Sequence, residues 1–425
     1  MTFTVTSLDA TEILDSRGRP TLNVSVELAD GTTAEAGVPS GASTGTREAV
    51  ELRDGDSNRY GGLGVQNARD HVRGELAGLL RSRTWDTLAD ADRAMNDLDG
   101  TGNKSRLGAN AIIGCSLALA RAHAHSAGLE LHTYLAPPGV DPSLPVPHFN
   151  VLNGGAHAPN PLDFQEFMIA PLGARSLPEA VRAGAEVYAA LRKRLHEAGH
   201  ATGLGDEGGF APDLTQPEDA LRMIVSAITD AGYTPGRSGI AIALDPAASE
   251  FRQSDGTYLV AGESLSSGDM IARYEQIIAD FPVWSIEDGL GEDDTAGWQQ
   301  LTTALGERIQ LVGDDNFVTN PAIITQAITD HIANAALIKV NQIGTVTETL
   351  HAMATCRDAG YAAMVSHRSG ETPDTFIADL AVATGCGQIK SGAPARGERV
   401  AKYNRLQAIA TAHPHLPYGL TDDRA

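Results

Sequence analysis

The chain has 425 residues, of which 42% are hydrophobic and 20% are charged, and this composition is typical of a globular protein with room for two domains. Its formal net charge of −22 disfavours nucleic acids and anionic membrane surfaces as partners, because both are themselves negatively charged. If the substrate is a small anion, local lysine and arginine side chains must overcome this overall negative field.

The first part of the sequence predicts short strands followed by helices. Hydrophobic and polar residues alternate in 3–14, 21–30 and 32–38, with turns at "DSRGRP" and "DG" between them. A helical pattern covers 109–128, where Gly128 suits a helix C-terminus. A proline-rich stretch at 136–147 marks a boundary. We therefore expect an α+β domain over 1–135 and a second domain over 136–425.

In the second domain, predicted strands alternate with helical stretches. The strands are "GIAIALD", "VWSIED", "IQLVGDD", "AALIKV", "AAMVSH" and "GQIKSG". Steps of roughly 25 residues between strands are typical of a parallel sheet, and of a (β/α)8 barrel once about eight strands are present.

Each of these six strands ends in an ionisable side chain. The residues are Asp245, Glu287 with Asp288, Asp314 with Asp315, Lys339, His367 and Lys390. Taken alone, the lysine in "AALIKV" could simply escape to solvent at the sheet edge. Six such endings in a row instead predict an active site, because barrel enzymes carry theirs at the carboxyl ends of the strands.

The residue types indicate the chemistry. Asp245, Glu287 and Asp314 offer hard oxygen ligands, which suit Mg²⁺ better than zinc or copper. Because strand side chains alternate, we expect one member of each acidic pair to point into the barrel mouth. A bound cation would lower the pKa of Lys339 and make it a candidate general base. Lys390 and Arg368, with Ser369, can hold an anionic substrate.

Two other motifs fit metal or phosphate sites less well. "HEAGH", from His196 to His200, matches the HExxH zinc pattern, but Gly199 is expected to end the helix and turn His200 away from His196. "GTGNKS" resembles a phosphate-binding P-loop, but Asn103 separates the glycine from Lys104 and no strand leads into it.

Cysteine content and the N-terminal segment indicate the compartment. Cys115, Cys356 and Cys386 show no CxxC spacing, which argues against a disulfide framework or a structural zinc site. The N-terminal segment lacks the basic and apolar regions of a signal peptide, and no stretch is apolar enough to span a membrane. We expect a cytoplasmic protein.

A series of motifs over essentially the whole chain resembles the enolase family. They are "DSRGRPT", "VPSGASTG", "ELRDGD", "NKSRLGANAI", "NGGAHA", "QEFMIAP", "GDEGGFAP", "LDPAASEF", "SIEDGL", "GDDNFVTN", "IKVNQIGT", "SHRSGET" and "IKSGAP". The resemblance implies an N-terminal α+β capping domain, a modified (β/α)8 TIM-like barrel, and a homodimer or higher homo-oligomer. It also implies the reversible glycolytic dehydration of 2-phosphoglycerate to phosphoenolpyruvate, with two Mg²⁺ ions per active site.

The same resemblance implies a role for each matching residue. Lys339 matches the base that removes the C2 proton, and Glu207 matches the acid that protonates the departing 3-hydroxyl, with Glu166 beside it. Ser43 matches the residue that joins the second Mg²⁺ to the substrate phosphate. The ligands of the first Mg²⁺ match Asp245, Glu287 and Asp314, and the remaining substrate contacts match His157, Gln165, His367, Arg368, Ser369 and Lys390.

This reaction explains why such residues are needed. A proton beside an ionised carboxylate is very weakly acidic, and the enolase superfamily is an established example of a lysine or histidine base acting with Mg²⁺. Hydroxide leaves poorly, so a carboxylic acid must protonate it. We expect Glu166 to raise the pKa of Glu207 and so keep Glu207 protonated.

Some positions depart from the family pattern. Asn23 and Ala408 stand where a Glu–Arg pair usually crosses the dimer contact, and other departures occur at Arg19, Thr295 and Asn316. These departures leave open a specialised paralogue, similar to carboxyphosphonoenolpyruvate synthase, that forms a phosphonate. An inactive scaffold is disfavoured, because the charged site residues are intact.

Overall fold

In a computed structural model of the chain, residues 2–41 and 45–420 are described, and they begin with a four-stranded antiparallel sheet. Its strands are β1 (Phe3–Leu14), β2 (Pro20–Leu28), β3 (Thr33–Gly37) and β4 (Thr84–Trp85), in the order β3-β2-β1-β4. The three strands predicted from the alternating pattern are confirmed.

Helices cover one face of this sheet. They are α1 (Gln66–His71), which continues through a π-helical turn (Val72–Leu76) into α2 (Ala77–Leu80), then α3 (Leu88–Asp99), α4 (Ala109–Ser126) and α5 (Leu131–Leu135). The predicted helix is α4, and Gly128 follows its end with a φ of +67°. Gly114 lets α4 approach the sheet closely, since a Cβ there would lie 2.5 Å from Val24 Cγ2.

The rest of the described residues supply ten further strands, eight of which close into a barrel. They are β5 (Val146–Asn153), β6 (Glu166–Ala170), β7 (Ala241–Asp245), the hairpin β8 (Tyr258–Val260) and β9 (Glu263–Leu265), β10 (Val283–Glu287), β11 (Gln310–Gly313), β12 (Ala335–Ile338), β13 (Ala362–Ser366) and β14 (Gln388–Lys390). The barrel order is β10-β11-β12-β13-β14-β5-β6-β7, so the predicted TIM-like fold is confirmed.

Helices surround the barrel and fill the connections between its strands. They are α6 (Leu177–Glu197), α7 (Pro217–Asp230), α8 (Ser267–Asp280), α9 (Thr295–Leu305), α10 (Pro321–Thr329), α11 (Val340–Ile343), α12 (Val346–Asp358), α13 (Phe376–Ala383) and α14 (Gly397–Ala412). Short 3-10 turns lie at Tyr60–Gly62, Gly155–His157 and Ala248–Phe251. None of the helices in the described ranges is long and apolar enough to cross a membrane.

One strand runs against the others, and this explains why the barrel is modified. β6 pairs antiparallel with both β5 and β7, whereas the other neighbouring pairs are parallel. Glu166, the first residue of β6, is therefore paired with Asp245, the last residue of β7. The reversal places a glutamate from the start of a strand on the same rim as acids from strand ends.

The barrel interior is packed, so the mouth is left for a site. Gln310 and Gln388 lie on strands that are not neighbours, yet Gln310 Nε2 donates to Gln388 Oε1 at 2.9 Å across the interior. Val312, Leu337 and Met364 pack together as a separate buried cluster. The division of the chain at residue 136 stays a prediction.

Candidate active site

Three acidic side chains stand at the carboxyl ends of successive barrel strands. Asp245 ends β7, Glu287 ends β10, and Asp314 directly follows β11. All three are buried. Burial raises the pKa of Glu287 well above its ordinary value, and the neighbouring carboxylates of Asp245 and Asp314 raise it further. The three acids therefore feel one another's charge across the barrel mouth.

Lys390 lies among these acids. Its Nζ donates to Glu287 Oε1 at 2.6 Å and lies 3.4 Å from Asp245 Oδ2 and 3.5 Å from Glu166 Oε2. Burial alone would lower the pKa of Lys390, but Glu166 and the other acids outweigh it, and the pKa is raised well above its ordinary value. The lysine is thus held as a cation in the centre of the mouth.

Asp288 and Asp315 are the second residues of the two acidic pairs, and their surroundings differ. Asp288 turns towards the backbone, where its carboxylate accepts the N–H groups of Asp314 and Asp315 at 2.9 Å each, and its φ is +41°. Asp315 stays beside Asp314, and burial followed by that neighbour raises its pKa to about 8. Which acid of each pair points into the mouth stays a prediction, because Asp314 and Asp315 both follow β11 and strand alternation does not fix their directions.

Lys339 follows β12 directly and is buried with its charge paired. Its Nζ donates to Asp314, whose other oxygen accepts from Gln342 Nε2 at 2.8 Å. Burial lowers the pKa of Lys339, but the Asp314 carboxylate more than offsets this, so the pKa is raised. Asp314 thus stabilises the ammonium form of Lys339 in this arrangement of side chains, and the lowering expected beside a bound cation stays a prediction.

Two glutamates face one histidine on the opposite side of the mouth. His157 Nδ1 lies 3.6 Å from Glu166 Oε1 and 3.7 Å from Glu207 Oε1. Burial and then the charge of Glu207 raise the pKa of Glu166 well above its ordinary value. At Glu207 burial also raises the pKa, but His367 and His157 outweigh it and the pKa falls well below its ordinary value. The imidazoles thus favour the ionised form of Glu207 in this arrangement, and its protonation during the reaction stays a prediction.

Arg399 fixes the orientation of His367. Arg399 Nη1 lies 2.6 Å from His367 Nδ1, and because a guanidinium only donates, Nδ1 must be the acceptor. The ring proton is then on Nε2, which lies 3.1 Å from Glu207 Oε2. Burial lowers the pKa of His367 to about 4, which keeps the ring neutral at pH 7. Arg399 also donates to the carbonyl oxygens of Arg368 and Ser369, at 2.5 Å each.

Arg368 and Ser369 lie next to this histidine and carry polar partners of their own. Arg368 is buried, and its guanidinium donates to Glu48 at 3.0 and 3.1 Å and to Asn341 Oδ1 at 3.0 Å. Ser369 Oγ accepts from Arg17 Nη1 at 3.2 Å. The N-terminal part of the chain thus supplies Arg17 and Glu48 to the barrel mouth.

Most residues predicted for the site line one small cavity at the mouth. They are His157, Gln165, Glu166, Glu207, Asp245, Lys339, His367, Arg368, Ser369 and Lys390. Glu287 and Asp314 contact this group through Lys390 and Lys339. Ser43 lies outside the described residues, so its predicted contacts with metal and phosphate stay predictions.

The donor type of the acidic set suits a hard divalent cation, although among the described residues Asp245, Glu287 and Asp314 are not one of the groupings whose ligand atoms all lie within 4.8 Å of one another. Its donors are carboxylate oxygens, and Glu287 Oε2 is buried without a hydrogen-bond partner. A buried carboxylate oxygen in that state is stabilised by a cation. Asp288, Asp314 and Asp315 also bring one oxygen each within 4.8 Å of one another. Within 2–41 and 45–420, the groupings close enough to hold a metal do not include His196 or His200, and α6 ends at Glu197 before the second histidine.

Sequence reasoning missed Arg399, Glu48 and Gln342. Glu48 lies in a loop, and Gln342 lies in the short α11 within the motif "IKVNQIGT", where neither charge nor periodicity indicated a role. Arg399 could have been found, because Arg399, Lys402, Leu406 and Ile409 repeat at the helical spacing of a buried face in α14. A charged residue at the start of such a face needs a buried partner.

The fold and the site at the barrel mouth together define a barrel enzyme. Its lysine, carboxylate and imidazole side chains are placed for acid–base chemistry on a small anion. Two family models match the chain: "Enolase, N-terminal domain" over residues 5–135 and "Enolase, C-terminal TIM barrel domain" over residues 141–413. The chain belongs to the enolase family, which are lyases of the phosphopyruvate hydratase type.

Similar proteins named enolase align with this chain over nearly their full length. An enolase from Rubrobacter xylanophilus is 57% identical over 400 residues, which is 94% of this chain and 92% of that protein. Enolases from Acidothermus cellulolyticus and Beutenbergia cavernae are each 55% identical over 405 residues, which is 95% of this chain and 94% of each relative.

Proposed function

We propose that this chain catalyses the reversible, Mg²⁺-dependent dehydration of 2-phosphoglycerate to phosphoenolpyruvate. The observation that supports the proposal most strongly is the placement of Lys339, Glu207 and the acids Asp245, Glu287 and Asp314 around one mouth. A family whose named members are enolases supports the same reaction.

Lys339 is the proposed general base and Glu207 the proposed general acid. The Lys339 amine takes the C2 proton, and the electron pair left on C2 forms the double bond to C3 as the C3–oxygen bond breaks. Glu207 gives its proton to the departing hydroxyl, which leaves as water, and Glu166 lies beside it across His157. An anionic substrate raises the pKa of carboxyl groups near it, which favours the protonated form of Glu207 when substrate is bound.

Two Mg²⁺ ions are the proposed cofactor, one held by Asp245, Glu287 and Asp314 and the other by Ser43. Bound at the three carboxylates, Mg²⁺ would supply positive charge beside the substrate carboxylate. It would also compete with Lys339 for Asp314, and this competition would favour the neutral amine form of Lys339. His157, Gln165, His367, Arg368, Ser369 and Lys390 bind the substrate, and the two cationic side chains among them offset its negative charge.

A direct assay tests the proposed reaction. Purified enzyme is stripped with a chelator, and phosphoenolpyruvate formed from 2-phosphoglycerate is then measured with Mg²⁺, with Zn²⁺ and with no metal added. We expect activity to return with Mg²⁺. Absence of phosphoenolpyruvate in all three arms would contradict the proposal and favour the phosphonate-forming reaction left open by the sequence.

The assembly and location of the enzyme are also proposals. We propose a homodimer formed largely through residues 1–135, acting in the cytoplasm on a small phosphorylated substrate.

A further inference from the structure

We propose that Glu130, His132 and His413 form a second, separate site for a transition-metal dication of the Zn²⁺ class, between α5 and the end of α14. The site lies outside the mouth described above and uses none of its residues. One ligand atom from each of the three side chains lies within 4.8 Å of the other two.

The three side chains come from two places that the fold brings together. Glu130 precedes α5 and His132 lies in its first turn, whereas His413 directly follows α14. Glu130 Oε2 lies 2.7 Å from His413 Nε2 and 3.3 Å from His132 Nδ1. Ligands about 2.0–2.1 Å from a tetrahedral zinc ion stand roughly 3.3 Å apart, so small side-chain rotations would place all three around one ion.

His132 is the observation that favours a metal over a simple hydrogen-bonded cluster. The residue is 3% exposed, and its Nδ1 is buried without a hydrogen-bond partner. The carboxylate oxygens beside that nitrogen are Glu130 Oε2 at 3.3 Å and Asp379 Oδ1 at 3.7 Å. With the ring proton on Nδ1, His132 faces the two carboxylates as a donor. With the proton on Nε2, the Nδ1 lone pair faces them, and a bound cation would offset the repulsion.

A further carboxylate lies on the same side of the His132 ring as the proposed ion, since Asp379 Oδ1 is 3.7 Å from Nδ1. Asp379 is buried and held by Arg405, whose Nε and Nη2 donate to its two oxygens at 2.9 and 2.6 Å. Two imidazoles and one carboxylate are the ligand types of zinc sites that leave a fourth position for water. The ring of His415 lies 5.9 Å from that of His413 and is a further nitrogen donor beside the site. An ion here would clamp α5 to the end of α14.

Cobalt substitution distinguishes this site from the acidic mouth. Imidazole ligands in a four- or five-coordinate site give Co²⁺ a strong visible absorption, whereas an oxygen-only, six-coordinate centre absorbs weakly. Full-length enzyme is first given saturating Mg²⁺, which prefers the oxygen ligands of the mouth, and is then titrated with Co²⁺. We expect a strong band that saturates at about one Co²⁺ per chain and disappears when Zn²⁺ is added.

Substitutions assign that signal to the cluster. His132→Ala and His413→Gln should each abolish the band and weaken Zn²⁺ binding by more than about 100-fold, because even lost outer-shell contacts cost about 10- to 100-fold. His196→Ala, which removes an exposed histidine of "HEAGH" on α6, is the matched control and should keep the band. His413 is half-buried, so His413→Gln tests the site even if His132→Ala fails to fold, with circular dichroism as the fold check.

Two results would overturn the inference. One is a wild-type spectrum without a strong band, which would leave the cluster as hydrogen-bonded side chains only. The other is an unchanged band in His413→Gln, which would place the Co²⁺ elsewhere on the protein. Neither result would bear on the proposed dehydration, which the phosphoenolpyruvate assay tests separately.

Discussion

At the scale of single residues, Arg399 connects the end of the chain to the chemistry of the mouth. Its guanidinium holds His367 Nδ1 as an acceptor and so directs the Nε2 proton towards Glu207. It also lowers the pKa of His367, whereas Glu207 and Glu371 raise it. Arg399 is therefore a positioning residue that acts through the histidine.

Replacing Arg399 should change the pH dependence of the reaction. Arg399→Gln removes a positive charge, so the pKa of His367 rises and the ring becomes protonated at a higher pH. We expect kcat/KM to fall about 10- to 100-fold and its acid limb to move to higher pH. The full pH profile is the measurement, because a purely structural role would lower activity without moving that limb.

Arg399→Lys is the matched comparison. Lysine keeps the positive charge and one donor for Nδ1, but it lacks the second guanidinium nitrogen that donates to the backbone carbonyls. We therefore expect Arg399→Lys to be more active than Arg399→Gln and to have an acid limb close to that of the wild type. An acid limb that stays in place in both variants would show that Arg399 does not act through His367.

At the scale of elements, close packing of α6 on β5 holds one side of the barrel wall in place. Gly184 of α6 faces Phe149 of β5, and a Cβ at Gly184 would lie 2.4 Å from Phe149 Cε2. Phe149 is fully buried, so its ring cannot move away without disturbing the wall. The glycine is required for this approach.

Gly184→Ala should therefore destabilise the protein although alanine favours helices. The clash is expected to lower the free energy of unfolding by about 1–3 kcal/mol, whereas the helix propensity of alanine raises it by about 1 kcal/mol. Because the contact is so close, we expect a net loss of about 1–2 kcal/mol. Gly78→Ala in α2 is the control, because nothing lies within 4 Å of a Cβ there and the residue is exposed. It should stabilise by about 0.5–1 kcal/mol. Denaturant unfolding of both variants measures whether each substitution raises or lowers the free energy of unfolding.

The elements also show where sequence reasoning succeeded and where it could not. Strand-end residues such as Asp245 and Lys339 could be predicted, because the β/α period fixes which end of each strand meets the mouth. β5 and β6 were not among the predicted strands, since β5 begins inside the proline-rich stretch and β6 runs against the other strands and so departs from the β/α order. The lowered pKa of Glu207 could not be predicted either, because it depends on His367, which lies far from Glu207 along the chain, and on the fold that brings His157 beside it.

At the scale of the whole molecule, the proposed dimer depends on the sheet at the N-terminus. Asn23 of β2 was expected at the dimer contact, and within the chain its Nδ2 donates to Glu35 Oε2 at 3.0 Å. Asn23→Glu would replace this donor with a second carboxylate beside Glu35, and no arginine stands at Ala408 to balance it in a partner.

We expect a homodimer at micromolar concentration that Asn23→Glu weakens. Asn23→Gln keeps the donor amide and is the control, while Asn23→Glu combined with Ala408→Arg should recover part of the loss. Sedimentation velocity across ionic strengths measures all four proteins. A wild type that is monomeric throughout would contradict the proposed assembly.

Lys339 is proposed to remove the C2 proton and Glu207 to complete the second half of the reaction, and hydrogen exchange tests both roles directly. Incorporation of solvent deuterium at C2 of 2-phosphoglycerate is measured together with phosphoenolpyruvate formation for wild type, Lys339→Ala and Glu207→Gln, all with Mg²⁺. We predict that Lys339→Ala loses both signals, and that Glu207→Gln keeps exchange while losing most phosphoenolpyruvate formation. Undiminished exchange in folded Lys339→Ala would contradict the account.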